Sequence, residues 1–221
     1  MNRRLFTTKD GSKTVEIPEL DVTYHSRHGA FQESVHVFRE AGLEYLKDRS
    51  KIQVFEMGFG SGLNALLAFE FSIRSGIEIV YEGFEKFPLD SSIYEALDYS
   101  GLLNNPILVP LYHTMCECEW NQSVALTEKF TFTKRLADIH IDKPTPQVDC
   151  IFFDAFAPAA QPEMWTSTIF SKMFDTLKSG GILVTYCSKS SVQKAMKEAG
   201  FEIEKLPGPK WKREIIRAKK S

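Results

Sequence analysis

Residues Val54–Asn64 read VFEMGFGSGLN and decide how the chain folds. The stretch leading to Glu56 is β-branched and aromatic, as a buried parallel strand should be. The segment after Gly62, LNALLAFEFS, is apolar enough for a packed helix. Between them, Gly58 and Gly60 permit backbone angles closed to other residues and let a ligand approach the main chain. The stretch predicts a strand, a tight loop and a helix whose free N–H groups favour a negatively charged or carboxylate-bearing ligand.

The spacing of the glycines distinguishes between two classes of nucleotide-type cofactor. Dinucleotide-binding proteins carry G-x-G-x-x-G, whereas Glu56 here leads three glycines in the order E-x-G-x-G-x-G. This acid-led form resembles the first motif of S-adenosylmethionine-dependent methyltransferases. A lone glycine motif is weak evidence, and a strand-helix turn without a ligand is the alternative.

Composition indicates an ordinary globular protein. Of 221 residues, 43% are hydrophobic and 25% are charged, which suits one substantial core. No apolar run approaches the roughly 20 residues of a membrane-spanning helix. No apolar signal-peptide core follows Arg3 and Arg4, so we predict a cytoplasmic protein. The four cysteines lack the spacing of a zinc site, so we predict no metal.

Strand and helix patterns alternate from residue 52 onward, as in a parallel sheet covered by helices. We predict five parallel strands at about 52–57, 78–84, 129–134, 149–153 and 182–186. The predicted helices lie at about 62–75, 89–99, 166–178 and 190–199. Gly180 and Gly181 are interpreted as a turn, and residues 104–128 stay unassigned.

Two further strands, at about 201–205 and 213–217, follow each other too closely for a crossover and should pair antiparallel. The α/β chain then has the seven-stranded, mostly parallel, Rossmann-like sheet of class I methyltransferases. Residues 1–50, with short strands and a helix, are predicted to be an N-terminal extension packed on a methyltransferase domain at 51–221.

Acidic residues end several of the predicted strands, and ligands of open parallel sheets lie over those carboxyl ends. Glu85 ends the second strand, about where an acid binds ribose hydroxyls in the analogous dinucleotide architecture. A solvated acid before Lys86 is the alternative. After the third strand, Ala137 offers a backbone N–H to an adenine ring, and Asp138 offers an acid to its exocyclic amine.

Asp154 follows a run of apolar strand residues and begins the segment DAFAP, whose loop is fixed by Pro158. In amine methylation the nitrogen must present a lone pair, yet a free alkylamine is mostly protonated near neutral pH. A carboxylate at this strand end could orient the amine and take or relay its proton. The alternative is an aspartate that only caps the loop.

The chain resembles the family of methyltransferases that make 5-methylaminomethyl-2-thiouridine at the tRNA wobble position, found free-standing or as half of a bifunctional enzyme, MnmC. The resemblance covers most of the chain from Asp21 onward. It rests on Glu56–Asn64, Gly83–Leu89, Asp154–Pro158, Pro162–Thr166 and Gly208–Ala218. Two departures are Ala155, where the family often has glycine, and Trp211 in the basic hairpin, which adds a stacking surface for a base.

The resemblance implies methyl transfer from S-adenosyl-L-methionine to the aminomethyl nitrogen on carbon 5 of the wobble uridine, with Asp154 facing that amine. The predicted cofactor contacts are Glu56, Gly58, Gly60, Gly62, Asn64, Glu85, Ala137 and Asp138. The predicted substrate contacts are Phe156, Pro158, Trp165, Lys210, Lys212 and Arg213. An N-terminal segment is a candidate to fold over the cofactor and contains Tyr24, Glu33 and His36. No second glycine fingerprint is present, so we expect methylation without the flavin-dependent oxidase reaction of bifunctional relatives.

A tRNA must be held locally, because the net charge is −2. Candidate phosphate contacts are Lys210, Lys212, Arg213, Arg217, Lys219 and Lys220, with Arg3 and Arg4 as further members; a solvated basic tail is the alternative. The rival function is a methyltransferase or aminopropyltransferase acting on a small-molecule amine. The glycine spacing argues against a nicotinamide oxidoreductase, and the intact segment from Asp154 to Thr166 argues against a non-catalytic cofactor-binding module.

Overall fold

The computed structural model describes residues 2–97, 99–103 and 105–221, and its strands form two sheets. The smaller, antiparallel sheet contains β1 (Arg4–Thr7), β2 (Lys13–Ile17) and β3 (Val22–Thr23). The larger contains β4 (Lys51–Met57), β5 (Glu78–Glu85), β6 (Ser123–Thr127), β7 (Phe130–Leu136), β8 (Val148–Phe153), β9 (Leu177–Thr185), β10 (Glu202–Pro207) and β11 (Glu214–Lys219). Its order is β10-β11-β9-β8-β4-β5-β7-β6. The order reverses at β4, which places the ligand crevice of such sheets over the carboxyl end of this strand.

Helices connect and cover the strands of the large sheet. The α-helices are α1 (Ala30–Ser34), α2 (Leu63–Ser75), α3 (Ser91–Leu97), α4 (Leu108–Glu117), α5 (Ser167–Thr176) and α6 (Ser190–Glu198). α1 continues as a π-helix over Val35–Leu43, and short 3₁₀ turns lie at Pro18–Leu20, Glu44–Leu46, Tyr99–Leu103 and Pro162–Trp165. Within the described ranges, no helix is long and apolar enough to cross a membrane.

The central strand β8 of the large sheet is buried on both faces, as its continuous apolar run over residues 150–153 requires. Along β8, Cys150 and Phe152 face a core shared with α2 and α4, whereas Ile151 and Phe153 face a core shared with α5 and α6. All four side chains are fully buried. The two cores fix the position of each strand end, and therefore of the residues that follow it.

The N-terminal segment shares the first of these cores. Val37 and Phe38 of the π-helix belong to it, and the Phe38 ring centroid lies 5.2 Å from that of Phe152. A Cβ at Gly42 would lie 3.1 Å from the Phe152 ring and 3.3 Å from Val184, so a glycine at this position allows the helix to approach the sheet closely. The predicted domain boundary at residue 50 stays a prediction.

The predicted α/β architecture is confirmed, with five parallel strands and an antiparallel closing pair. The predicted strand number is wrong, because β6 adds an eighth strand that pairs antiparallel with β7. The unassigned stretch contains β6 and α4, and its residue Asn104 lies outside the described residues, as does Asp98 of the predicted second helix. Gly180 and Gly181 lie within β9 rather than in a turn before it, where the register with β8 shifts.

Asp149 links three strands at the end of the sheet opposite the crevice, and its side chain is 3% exposed. It accepts hydrogen bonds from Arg49, from Lys178 Nζ at 2.9 and 3.0 Å, and from the Gln53 backbone N–H at 2.7 Å. We expect Asp149→Asn to lower the free energy of unfolding by about 3 kcal/mol, because it leaves two cations without their buried partner.

Urea denaturation measures this effect. The control is Lys51→Ala, which breaks the more exposed ion pair with Glu78 at 2.7 Å and should cost less than about 1 kcal/mol. Equal losses in the two variants would contradict a stabilising role for Asp149.

Candidate functional site

A cavity of about 230 Å³ opens over the carboxyl ends of β4, β5 and β8. Gly58 and Gly60 line it from the loop after β4, Glu85 lines it from the end of β5, and Asp154 and Phe156 line it from the loop after β8. Five of the predicted site residues therefore meet at one cavity, at the switch point where ligands of open parallel sheets bind.

The glycine loop is shaped by backbone angles that other residues rarely adopt. Gly58, Gly60 and Gly62 have φ values of +92°, +50° and +76°. A Cβ at Gly58 would lie 2.7 Å from the carbonyl oxygen of Asp154, closer than van der Waals contact allows. The Gly58 and Phe59 N–H groups both donate to the Phe84 carbonyl, at 3.1 and 2.9 Å. The loop is thus packed between the ends of β5 and β8.

Asn64 joins the acids at the ends of β4 and β8. Its Nδ2 donates to Glu56 Oε1 and to Asp154 Oδ2, both at 2.8 Å. Glu56 is fully buried and also accepts from the Tyr81 hydroxyl at 2.7 Å. Burial raises the pKa of Glu56 well above its usual range, against the lowering effect of these two hydrogen bonds. Glu56 and Asn64 are not among the described residues that line the cavity, and Asn64 supports Asp154 from behind it. Their predicted role as cofactor contacts stays a prediction.

Asp154 is one of the acids that line the cavity. Burial raises its pKa to about 7, and the hydrogen bond from Asn64 opposes that rise. The charge of Glu33 raises the pKa further and that of Lys212 lowers it. A carboxyl group with this pKa changes between its neutral and ionised forms near physiological pH, as a group that exchanges protons with a substrate should.

Glu85 is held in place by two backbone N–H groups. Its Oε2 accepts from Gly60 at 2.9 Å, and its Oε1 accepts from Phe87 at 2.7 Å. Each carboxylate oxygen keeps a further lone pair. The group is therefore fixed in orientation and can still accept from the hydroxyls of a ligand.

The residues predicted after the third strand do not line the cavity. The Ala137 N–H donates to the Glu85 carbonyl at 3.0 Å, so it is not available to an adenine ring. Asp138 forms an ion pair with Lys86 at 2.8 Å, and this pair lowers the pKa of Asp138. Both residues support the end of β5, and their predicted cofactor contacts stay a prediction.

Trp165 supports the loop after β8 from inside the core, where it is 6% exposed. Its Nε1 donates to the Phe156 carbonyl at 2.7 Å, and its ring packs against Phe153 with centroids 5.1 Å apart. Neither Trp165 nor Pro158 is among the described residues that line the cavity. In the structure Trp165 supports Phe156 and its loop, and direct substrate contact by Trp165 and Pro158 stays a prediction.

The predicted basic cluster is not a continuous open patch. Lys212 is paired with Glu33 at 2.6 Å, Trp211 stacks on His28 with centroids 5.9 Å apart, and Lys220 donates to two carbonyl groups. Arg217 and Lys219 both pair with Glu204 at 2.9 Å, Arg4 pairs with Glu16 at 2.6 Å, and Arg3 donates to the Phe87 and Pro88 carbonyls. Lys210 and Arg213 are exposed, and in the part of the chain that the structure describes no carboxylate lies within ion-pair distance of either.

The N-terminal segment supplies one wall of the cavity. Its lining residues are Arg3, Ile17, Leu20, Tyr24 and His25. Tyr24, which the sequence suggested, packs edge-to-face on Phe156 with centroids 5.2 Å apart. His25 was not predicted; burial lowers its pKa to about 4, so it is neutral near pH 7. His36 instead contacts the Pro207 carbonyl at 2.7 Å, outside the cavity.

The four cysteines are free thiols. Across residues 2–97, 99–103 and 105–221, no group of three or more His, Cys, Asp or Glu side chains is arranged to hold a metal ion.

Comparisons with known proteins agree on a class of enzyme. A family model described as S-adenosyl-L-methionine-dependent methyltransferase matches residues 110–221. The tRNA 5-methylaminomethyl-2-thiouridine biosynthesis bifunctional protein MnmC of Actinobacillus pleuropneumoniae is 28% identical, over 90% of this chain and 32% of that protein. The protein of the same name from Chromobacterium violaceum is 32% identical, over 87% of this chain and 31% of that protein. The chain spans about a third of the length of these curated relatives.

A solved structure, MNMC2 from Aquifex aeolicus, has a TM-score of 0.76 and 25% identity to this chain. The match covers 99% of this chain and 70% of that one. The predicted class I methyltransferase fold is confirmed by this similarity together with the family match.

The close packing around Gly58 leads to a prediction about the stability of the folded chain. We expect Gly58→Ala to lower the free energy of unfolding by about 3 kcal/mol, because the new methyl group adds a clash with the Asp154 carbonyl to the strain of a positive φ. Gly180→Ala is the matched control, since Gly180 has φ +73° and no described atom within 4 Å of the added Cβ. That change should cost about 1 to 2 kcal/mol from backbone strain alone. If denaturant titration gives equal losses of unfolding free energy in the two variants, the packing of the loop against Asp154 does not restrict the residue at position 58.

Proposed function

This chain belongs to the S-adenosyl-L-methionine-dependent methyltransferase family, and we propose that it methylates the 5-aminomethyl nitrogen of the wobble (2-thio)uridine of tRNA. The product is 5-methylaminomethyl-(2-thio)uridine. The MnmC relatives, which are named for the biosynthesis of this nucleoside, support the proposal because they align with about 90% of the chain. The proposal concerns the methylation step alone, and tRNA as substrate implies action in the cytoplasm.

The residues at the cavity fit S-adenosyl-L-methionine. When bound, this cofactor supplies a methyl group on a positively charged sulfur atom. The Gly58 and Gly60 backbone would form its cradle, and Glu85 would accept hydrogen bonds from the ribose hydroxyls. Met57, Phe84 and Leu20 give the cavity apolar surface for the adenine ring.

The main support for the proposal is Asp154. It lines the cavity, accepts a hydrogen bond from Asn64 and has a pKa that is raised to about 7. An alkylammonium substrate must lose a proton before its nitrogen lone pair can form the new N–C bond. The bound cofactor would supply the methyl group for this bond, and its sulfur would keep the electron pair of the broken S–C bond. Asp154 would orient the amine, accept the proton that leaves nitrogen and pass it to solvent.

Aromatic side chains beside Asp154 suit a nucleobase. Phe156 lines the cavity, and Tyr24 meets its ring edge-to-face. We infer that Phe156 contacts the flipped-out uridine, since RNA-binding sites commonly stack unpaired bases on aromatic rings. Trp165 would act indirectly by holding the Phe156 carbonyl.

The test of the proposed function is methyl transfer from labelled S-adenosyl-L-methionine to tRNA from cells that lack this gene, with mass spectrometry of the nucleosides. We expect one methyl group to be gained on 5-aminomethyl-(2-thio)uridine. Asp154→Asn should lower turnover by about 10²- to 10⁴-fold while calorimetry shows that S-adenosyl-L-methionine still binds.

The matched control is Asp48→Asn, an exposed acid before the start of β4, which should leave turnover unchanged. No transfer to tRNA with intact cofactor binding would reject the tRNA substrate and favour a small-molecule amine. Unchanged turnover of Asp154→Asn would remove Asp154 from the mechanism.

The raised pKa of Asp154 predicts the pH dependence of turnover. Below about pH 7 the Asp154 carboxyl is neutral and cannot take a proton, so the rate should fall as pH decreases through this value. We expect about a tenfold loss per pH unit below it. A profile that stays flat down to pH 5 would contradict proton acceptance by Asp154.

The exposed cations of the β10–β11 turn are the proposed tRNA contacts. We expect the double change Lys210→Ala and Arg213→Ala to weaken tRNA binding and to reduce the salt slope of the binding constant by about 2, because two phosphate contacts are lost. Lys47→Ala with Lys51→Ala, near the amino end of β4, is the matched control. The slopes are measured by filter binding at several salt concentrations. Equal slopes in both double variants would indicate that tRNA binds elsewhere on the protein surface.

A further inference from the structure

Lys212, in the turn between β10 and β11, forms an ion pair with Glu33, which lies near the other end of the sequence. Lys212 Nζ lies 2.6 Å from Glu33 Oε1, and the two side chains are 30% and 10% exposed. Glu33 also accepts from the Ser26 N–H at 3.3 Å. The pair joins the turn between β10 and β11 to helix α1, over a separation of 179 residues.

The same lysine contacts the loop that carries Asp154 through one intermediate residue. Lys212 Nζ lies 4.2 Å from the ring centroid of Tyr186, a cation–π distance. The Tyr186 hydroxyl donates to the carbonyl of Ala155 at 2.8 Å, directly beside Asp154. Moving the Lys212 ammonium group would therefore disturb the support of the Asp154 loop.

The titratable groups that face Asp154 come from five parts of the fold. They are Glu56 of β4, Tyr81 of β5, Tyr186 after β9, Glu33 of α1 and Lys212 of the hairpin turn. Burial raises the pKa of Glu56, Tyr81 and Tyr186 well above their ordinary values, so their neutral forms are favoured. Glu33 and Lys212 remain as opposite charges, and their effects on the pKa of Asp154 have opposite signs.

We propose that Glu33 and Lys212 are positioning residues for Asp154, which balance the charge around its carboxyl group and hold its loop through Tyr186. This role replaces the predicted contact of Lys212 with tRNA phosphate. The expected effect on turnover rests on the proposed function, whereas the expected effect on the pKa of Asp154 does not.

The experiment measures the pKa of Asp154 by carboxyl-carbon NMR in the whole chain, without substrate. Lys212→Met leaves the negative charge of Glu33 unopposed and should raise that pKa by about one unit, a roughly tenfold change in the ratio of ionised to neutral Asp154. Glu33→Gln leaves the positive charge of Lys212 unopposed and should lower the pKa by a similar amount. The double variant should return close to the wild-type value.

The matched control is Lys205→Met, which removes the same charge from the ion pair with Glu214 at 3.2 Å on the same hairpin and should leave the pKa unchanged. Lys212→Arg keeps the positive charge and should leave the pKa of Asp154 near its wild-type value. A merely structural role would shift the pKa in the same direction in both single variants. That outcome, or no shift in either, would overturn the proposal.

Two readouts separate this proposal from the proposed function. If Lys212→Met does not fold, Glu33→Gln and Lys212→Arg still decide the outcome, because the first must lower the pKa and the second must preserve it. With tRNA as substrate, the acid limb of the rate profile should move in the same direction as the NMR value in each variant. Opposite NMR shifts without any methyl transfer to tRNA would support the positioning role and reject the tRNA substrate.

Discussion

The side-chain amide of Asn64 holds together the two acids around which the site is built. Glu56 lies beside Phe152 in the register of β4 and β8, so Glu56 and Asp154 stand close to the ends of neighbouring strands. An NH₂ group has two hydrogens and can donate to both acids, which a hydroxyl group cannot. To bring Asn64 between them, the chain must turn sharply within a few residues, and the positive φ angles of the glycine loop provide that turn. The two hydrogen bonds of Asn64 therefore depend on the strand register, on the glycine loop and on the position at which α2 begins.

Much of the fold could be predicted because the central strands are short runs, either apolar or alternating, that are bounded by turn residues. The parts that could not be predicted lack that signal. The side chains of β6 are exposed or half-buried, since it is an antiparallel edge strand. Helix α4 carries Pro110, which is tolerated because it lies in the first turn. Gly180 and Gly181 have the composition of a turn, yet backbone hydrogen bonds with Lys220, directly after β11, keep them within β9.

The location of the site followed from topology, whereas the direction of individual side chains did not. Strand ends in a parallel sheet share one edge, so Glu85 and Asp154 could be placed near each other from the sequence alone. Whether an acid points into the cavity or into the core depends on packing, and Glu56 is enclosed by Tyr81 and Asn64. The ion pair between Lys212 and Glu33 joins distant parts of the sequence, and no local pattern indicates it.

The two ends of the described chain lie at opposite ends of the parallel strands. Arg3 borders the cavity and is tied to the Phe87 and Pro88 carbonyls, whereas Lys220 exchanges backbone hydrogen bonds with Gly180 and Gly181 near the amino end of β9. An affinity tag or fluorophore placed before Arg3 would crowd the cavity mouth. The same group placed after Ser221 would leave the mouth clear, so immobilisation through that end keeps the site open to a molecule as large as a folded RNA.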